Sequence, residues 1–165
     1  MRSYVLGTIA LAFTMMLPAA PSLAAAPIAP DDAMMAPVRQ WIDAFNAAQT
    51  PLPEDVFAAD AVITDEFAPY AWSGSAGVHA WSERLNRSLH SARVRDERVV
   101  VESPRAFMVA AAGDRVSFVL PATLTYVIDG KRGVDHALWL FVVVKDGGRW
   151  KIAGDTWTLT DLTAG

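Results

Sequence analysis

The segment from Val116 to Leu159 leaves this chain few folds to choose from. Val116 to Ile128 is long and rich in β-branched residues, and Asp129-Gly130 after it is a strong hairpin signal. A second strand is expected over Val134 to Val144. Asp146-Gly147-Gly148 then turns the chain into a third, Trp150 to Leu159. Tight turns allow only antiparallel neighbours, so the three strands form a meander. The middle strand contains Ala137 to Val144 (ALWLFVVV), which is apolar on both faces. Trp139, Phe141 and Val143 point one way; Leu138, Leu140, Val142 and Val144 point the other. A sheet with helices on one side needs only one apolar face. The second face calls for a cover, and a second copy of the chain is the commonest one. The expectation is a homodimer through an outer sheet face around Trp139 and Phe141.

Helical periodicity precedes the strands. Met34, Val38, Trp41, Ile42, Phe45 and Ala48 recur at three- and four-residue steps and make one apolar stripe. Pro37 is expected near the first turn of this helix, and Thr50-Pro51 ends it. A short second helix is expected over Pro53 to Ala59, with Glu54 and Asp55 complementing its dipole. Ala61 to Phe67 alternates like a strand. Ser75 is the expected cap of a third helix running to about His90, burying Val78, Trp81, Leu85 and Leu89. Its other side carries His79, Glu83 and Arg87 at four-residue spacing. Val94 to Val101 and Ala106 to Ala111 read as strands around Pro104, and Pro121 marks another irregularity. Helices first and strands later define an α+β fold.

The N-terminus has its own pattern. Arg2 precedes an apolar run from Tyr4 to Leu17, Pro18 breaks it, and small residues follow at Ser22 to Ala26. This is the organisation of a secretory signal, and the run is short of the roughly 20 residues that span a bilayer. The expected division is a signal peptide over residues 1–25, a flexible leader over 26–34 and one domain over 35–162. The expected location is periplasmic or secreted, with no membrane attachment after cleavage. The 165 residues contain no cysteine, which excludes disulfides and thiol catalysis. Net charge is −4, and the densest basic stretch, Arg84 to Arg98, is interrupted by acids, so no nucleic-acid partner is expected. The three histidines are far apart and lack ligand spacing; neither a metal nor a cofactor is expected. No G-x-S-x-G elbow or phosphate loop is present.

The chemistry-bearing stretch is Phe57 to Leu85, FAADAVITDEFAPYAWSGSAGVHAWSERL. Asp65 ends a strand, an aromatic loop with Phe67, Tyr70 and Trp72 follows, and Ser73-Gly74-Ser75 opens the helix. Together with the closing GGRWKIAGDTW, this order resembles the nuclear transport factor 2-like superfamily, which includes ketosteroid isomerases and SnoaL-like polyketide cyclases. The resemblance covers roughly Met35 to Thr160. It implies a cone: a curved, mostly antiparallel sheet wrapped around three N-terminal helices, with a pocket at the open end. It also implies that Asp65 stands where the isomerases keep a general base. The position of their phenolic donor falls near Trp41, which has no hydroxyl, and that of their protonated Asp near apolar Leu140. Trp157 matches a pocket-lining tryptophan of the last strand.

Strand parity supplies substitutes. His136 shares a face with Leu140, and Asp155 shares one with Trp157, so both are expected inside the cone. The expected catalytic residues are Asp65 and His136. The expected ligand-binding residues are Trp41, Tyr70, Trp72, Asp155 and Trp157. Each has a plainer reading: Asp65 as an acceptor for backbone N–H groups in its loop, His136 as a solvated strand end, Asp155 as a surface partner of Lys151 or Arg149, and the tryptophans as core. Three functions follow. The favoured one is an exported SnoaL-like domain binding a small apolar ligand in the cone. The others are an isomerase, cyclase or dehydratase with Asp65 as base and His136 as partner, and a non-catalytic structural dimer.

Overall fold

A computed structural model describes residues 30–110 and 112–164. The expected signal segment, residues 1–25, lies outside them. Helix α1 (Asp32–Asn46) starts inside the stretch read as leader, because Asp31 caps it: its Oδ1 accepts the Met34 N–H at 2.8 Å. Pro37 therefore falls in the second turn and is buried there.

The expected helix over Pro53 to Ala59 does not form. Phe57 N–H reaches the Glu54 carbonyl at 3.1 Å, which closes one turn, and strand β1 (Phe57–Thr64) begins at once. Sheet pairing outweighs the helix signals: Ile152 N–H donates to the Val56 carbonyl at 2.8 Å, and Phe57 and Ala58 are buried. Strand β2 (Ala71–Ser73) folds back on β1, and helix α2 (Gly74–Ser91) follows. The described residues thus hold two helices where three were expected. The residue at the N-cap of α2 is Ser73, whose side chain makes no capping bond, and Ser75 lies inside the helix.

The remaining strands are β3 (Arg95–Val101), β4 (Ala106–Val109), β5 (Arg115–Ile128), β6 (Lys131–Asp146) and β7 (Arg149–Ala164). They form one curved, open, seven-stranded sheet in the order β2-β1-β7-β6-β5-β3, with β4 also on β5. The β5–β6–β7 meander is as expected, turning at Asp129-Gly130 and Gly147-Gly148; all four residues have positive φ. The sheet is mixed because β1 runs parallel to β7. Pro121 sits within β5 without breaking it. Its carbonyl accepts Glu102 N–H, so its missing N–H also faces the β3–β4 side, where β3 stops and β4 begins.

Burial along β6 alternates without a slip. Gly133, Asp135, Ala137, Trp139, Phe141 and Val143 are buried; His136, Leu138 and Leu140 are exposed. Trp139 and Phe141 therefore face the helices inside the sheet, not an outer surface. This corrects the expectation that a partner chain would sit on them; the outward side chains are those of Leu138 and Leu140.

Asn46, the last residue of α1, ties the helices to the free edge of the sheet. Its Nδ2 donates to the Val99 carbonyl at 2.9 Å, and its Oδ1 accepts the Val99 N–H at 2.7 Å. The side-chain amide thus pairs with an edge-strand peptide that has no further strand beyond it. Asn46→Ala should lower unfolding free energy by about 1–3 kcal/mol, since it leaves a partly buried N–H and C=O without partners. Urea denaturation checks this, with an unchanged slope expected.

Candidate functional site

The concave side of the sheet and the two helices enclose a cavity of about 90 Å³, or about 480 Å³ with its open mouth included. Each element contributes by its own periodicity. Helix α1 presents Trp41 and Phe45 one turn apart, and α2 presents Trp81 and Leu85 in the same way. Strands β3, β5 and β6 add Val99, Leu124 and Trp139; β7 adds Asp155 and Trp157, two residues apart on one face; Asp65 stands just past the end of β1. Trp41, Trp81, Val99, Trp139 and Asp155 are buried and form the floor. Phe45, Asp65, Leu85, Leu124 and Trp157 are half-buried and form the rim.

The rings brace one another. Trp41 stacks on Trp81 with centroids 5.5 Å apart, and on Phe45 at 5.6 Å. Trp139 meets Trp41 edge-on at 5.2 Å and Trp157 edge-on at 5.1 Å. Edge-on and offset contacts suit the quadrupoles of the rings, so the apolar wall is held in a defined shape.

Two carboxyl groups interrupt this wall. Asp155 is 2% exposed, and its Oδ1 accepts the Trp139 Nε1–H at 2.7 Å. Burial pushes its pKa up to about 7 from 3.8; the Trp139 bond opposes the shift and the charge of Asp65 adds to it. Asp65 is held at both oxygens, Oδ2 accepting Trp81 Nε1–H at 2.8 Å and Oδ1 accepting Glu66 N–H at 2.7 Å. Burial raises its pKa too, against the two hydrogen bonds, with a further small push from the Glu66 charge. The loop that carries Asp65 is closed by Asp65 N–H to the Tyr70 carbonyl at 3.2 Å. It is pinned to β7 by Glu66 Oε1, which accepts Leu159 N–H at 2.9 Å. Two buried polar atoms of the cavity wall have no protein partner: Trp41 Nε1 and Asp155 Oδ2.

Of the residues singled out in the sequence, Asp65, Trp41, Asp155 and Trp157 come together around this cavity. His136 does not. It is exposed on the opposite face of β6, with Nδ1 3.2 Å from Thr123 Oγ1. The parity assumed for β6 was inverted: Trp139, not Leu140, faces the cavity, and His136 follows Leu140 outward. Tyr70 is 61% exposed at the tip of the β1–β2 loop, and Trp72 is buried against Phe67, centroids 5.2 Å apart; neither lines the cavity. Asp155 pairs with neither Lys151 nor Arg149. The residues that sequence reasoning passed over are Trp139, placed on the wrong face, and Trp81, read as core. Both sit opposite an acid that their N–H groups can reach, and the register Phe141↔Asp155 and Trp139↔Trp157 is the signal that pairs β6 with β7 here. No group of three or more His, Asp or Glu side chains among the described residues has metal-binding geometry.

Residues 38–153 match the SnoaL-like domain family, and the chain belongs to it. Solved structures of the nuclear transport factor 2-like superfamily share its fold. A hexachlorocyclohexane dehydrochlorinase, LinA type 2, superposes with a TM-score of 0.67 at 13% identity, covering 80% of this chain and 86% of that one. A ketosteroid isomerase-like protein from Erwinia carotovora atroseptica gives 0.60 at 19% identity, covering 78% and 95%. A protein from Novosphingobium aromaticivorans described as nuclear transport factor 2-like with a cystatin-like fold gives 0.61 at 12%, covering 78% and 80%. Comparison with curated proteins gives no match.

The raised pKa of Asp155 has a sign for stability. The folded state holds the proton up to about pH 7, whereas the unfolded chain releases it near its ordinary 3.8. Between those values the folded state binds more protons, so stability falls as pH rises through the window and levels off above it. Asp155→Asn, which keeps an acceptor for Trp139, should flatten this fall relative to the unaltered protein. The difference, on the order of a few kcal/mol at most, is read from thermal or urea unfolding at pH 4.5 and pH 8.

Proposed function

We propose that this is an exported small-molecule-binding protein whose cavity takes a compact, largely apolar group. The observation that carries this reading is the cavity itself, open to solvent, walled by four indoles and lined by two acids. Its size limits what enters. At roughly 30 Å³ per water, about 90 Å³ holds some three water-sized groups, well below the 300–1,000 Å³ of a typical drug-sized site. The ligand therefore buries a fragment at the floor and leaves its body among Phe45, Leu85, Leu124 and Trp157. The N-terminal pattern of Arg2, an apolar run and small residues supports export.

A second reading is favoured by the two acids. Asp65 as carboxylate takes a proton from a carbon beside a carbonyl, the C–H electron pair shifts to make the enolate, and the resulting carboxylic acid returns the proton to the same or another carbon. Burial makes Asp65 a stronger base than a free aspartate, and Asp155, neutral up to about pH 7, stands in the place expected of His136. That chemistry belongs to an isomerase, cyclase or dehydratase.

Ligand-observed NMR with toluene, α-methylstyrene and acetophenone tests the binding reading. At least one should show saturation transfer from the protein, and Leu85→Trp, which fills the rim, should remove it. Absence of binding by all three ends the reading. For the second reading, acetophenone in D2O should lose its methyl protons faster in the presence of protein. The rate should fall at least tenfold in Asp65→Asn. It should rise with pH as Asp65 ionises and decline above about pH 7 as Asp155 does.

A further inference from the structure

The cavity carries charge of one sign only. Among the described residues that line it, Asp65 and Asp155 are the titratable ones, and no lysine, arginine or histidine joins them from either helix or from the sheet. Each acid is held by an indole instead, Asp65 by Trp81 Nε1–H at 2.8 Å and Asp155 by Trp139 Nε1–H at 2.7 Å. An indole N–H donates a hydrogen bond but brings no net positive charge. Glu66, next to Asp65, adds negative charge and is itself engaged with Leu159 N–H. The second oxygen of Asp155 is buried and has no protein partner. Burial raises the pKa of both acids, and the charge of Asp65 raises that of Asp155 further. A cation brought into the cavity reverses that shift, because it favours the ionised form of each.

The walls suit the same guest. Aromatic rings are negative on their faces, and a cation within about 6 Å of a ring centroid is attracted, most strongly by tryptophan. Trp41 and Trp81 lie near parallel, with 28° between their planes, whereas Trp139 stands at 84° to Trp41 and Trp157 at 83° to Trp139. The indoles thus bound the space in two nearly perpendicular directions, like the sides of a box. The N–H edges of Trp81 and Trp139 are engaged by the acids. Both oxygens of Asp65 already accept hydrogen bonds, from Trp81 and from the Glu66 backbone. What the site offers a guest is therefore charge and ring surface, with no unengaged acceptor on its accessible acid.

Resting on the ligand-binding reading above, we propose that the cavity is an aromatic cage for an organic cation, a trimethylammonium-type head group carried on a short uncharged body. The head lies among the four indoles, with its charge balanced by Asp65 and Asp155, and the body leaves past Phe45, Leu85 and Leu124. Such a head is apolar at its surface and needs no hydrogen-bond partner, so the engaged oxygens of Asp65 are no obstacle to it. At roughly 30 Å³ per water, the floor of about 90 Å³ holds about three water-sized groups, the bulk of the methyls on one nitrogen. An anion is repelled by both acids. A neutral molecule of the same shape gains the apolar contact and forgoes the attraction of rings and carboxylates. An ammonium without methyls brings the charge but leaves its N–H groups without free acceptors.

The test titrates the protein calorimetrically at pH 8 with choline, with 3,3-dimethylbutan-1-ol, in which carbon replaces the charged nitrogen, and with ethanolamine, in which hydrogens replace the methyls. Choline should bind at least about tenfold tighter than either. Its affinity should rise severalfold from pH 5 to pH 8, with proton release on binding, as Asp65 and Asp155 ionise; that of the alcohol should not change. Asp65→Asn should remove most of the preference for choline. Trp157→Leu, in the half-buried rim, should weaken choline and spare the alcohol. Should either variant fail to fold, the comparison of choline with its carbon isostere on the unaltered protein still decides. Equal or tighter binding of 3,3-dimethylbutan-1-ol overturns the cage and leaves the ligand-binding reading standing. Ethanolamine binding as tightly as choline, or choline binding that ignores pH, overturns it as well. If none of the three binds, the cage is overturned, and toluene, α-methylstyrene and acetophenone decide separately on the ligand-binding reading.

Discussion

The hydrogen bond from Trp139 to Asp155 is the contact around which the interior of this protein is arranged. A carboxyl group with 2% exposure is expensive to bury, and without a donor it has no place in an apolar floor. Trp139 supplies the donor from the neighbouring strand, and its own ring is held edge-on between Trp41 and Trp157. The position of the acid thus depends on an aromatic cluster drawn from α1, β6 and β7. The bond does not fully compensate for burial, and the remaining imbalance appears as a pKa near neutrality. The imbalance sits in the wall of the cavity, which Asp155 lines together with Asp65.

Much of the architecture was legible in the sequence because it is encoded locally. The two turns of the meander need positive φ, which Asp129-Gly130 and Gly147-Gly148 supply, and the amphipathic stripes of α1 and α2 are unambiguous. The helix expected at Pro53 was a local signal overruled from a distance. Pro53, Glu54 and Asp55 are good first-turn residues, yet the parallel pairing with β7 claims the chain from Phe57 onward, and nothing in the segment announces a partner almost a hundred residues away.

The site was legible in part, for a related reason. Asp65, Trp41, Asp155 and Trp157 could be found because an acid or a tryptophan on an otherwise apolar face stands out. His136 was misplaced because β6 is apolar on both faces, so hydrophobic alternation cannot tell inside from outside. One residue of error inverts every side chain, and it carried His136 into the cavity and Trp139 out of it. What resolves the ambiguity is size. The face with Trp139 and Phe141 fills the space under two helices, whereas Leu138 and Leu140 cover only the outside.

The tie between Glu66 and Leu159 gives the last strand a part in the site beyond the side chains it contributes. The pairing of β6 with β7 skips a residue here: Ala137 faces Leu159 and His136 faces Asp161, while Thr160 turns its hydroxyl onto the His136 carbonyl. On the other side of β7 the pairing with β1 ends at Thr64 and Thr156, and the Leu159 N–H beyond it is taken by the residue next to Asp65. The loop that begins at Asp65 is therefore anchored to a strand more than ninety residues downstream, in addition to the bonds that Trp81 and the Glu66 N–H make to the acid itself. The acid and its loop thus answer to two distant parts of the chain at once, α2 through Trp81 and the last strand through Glu66.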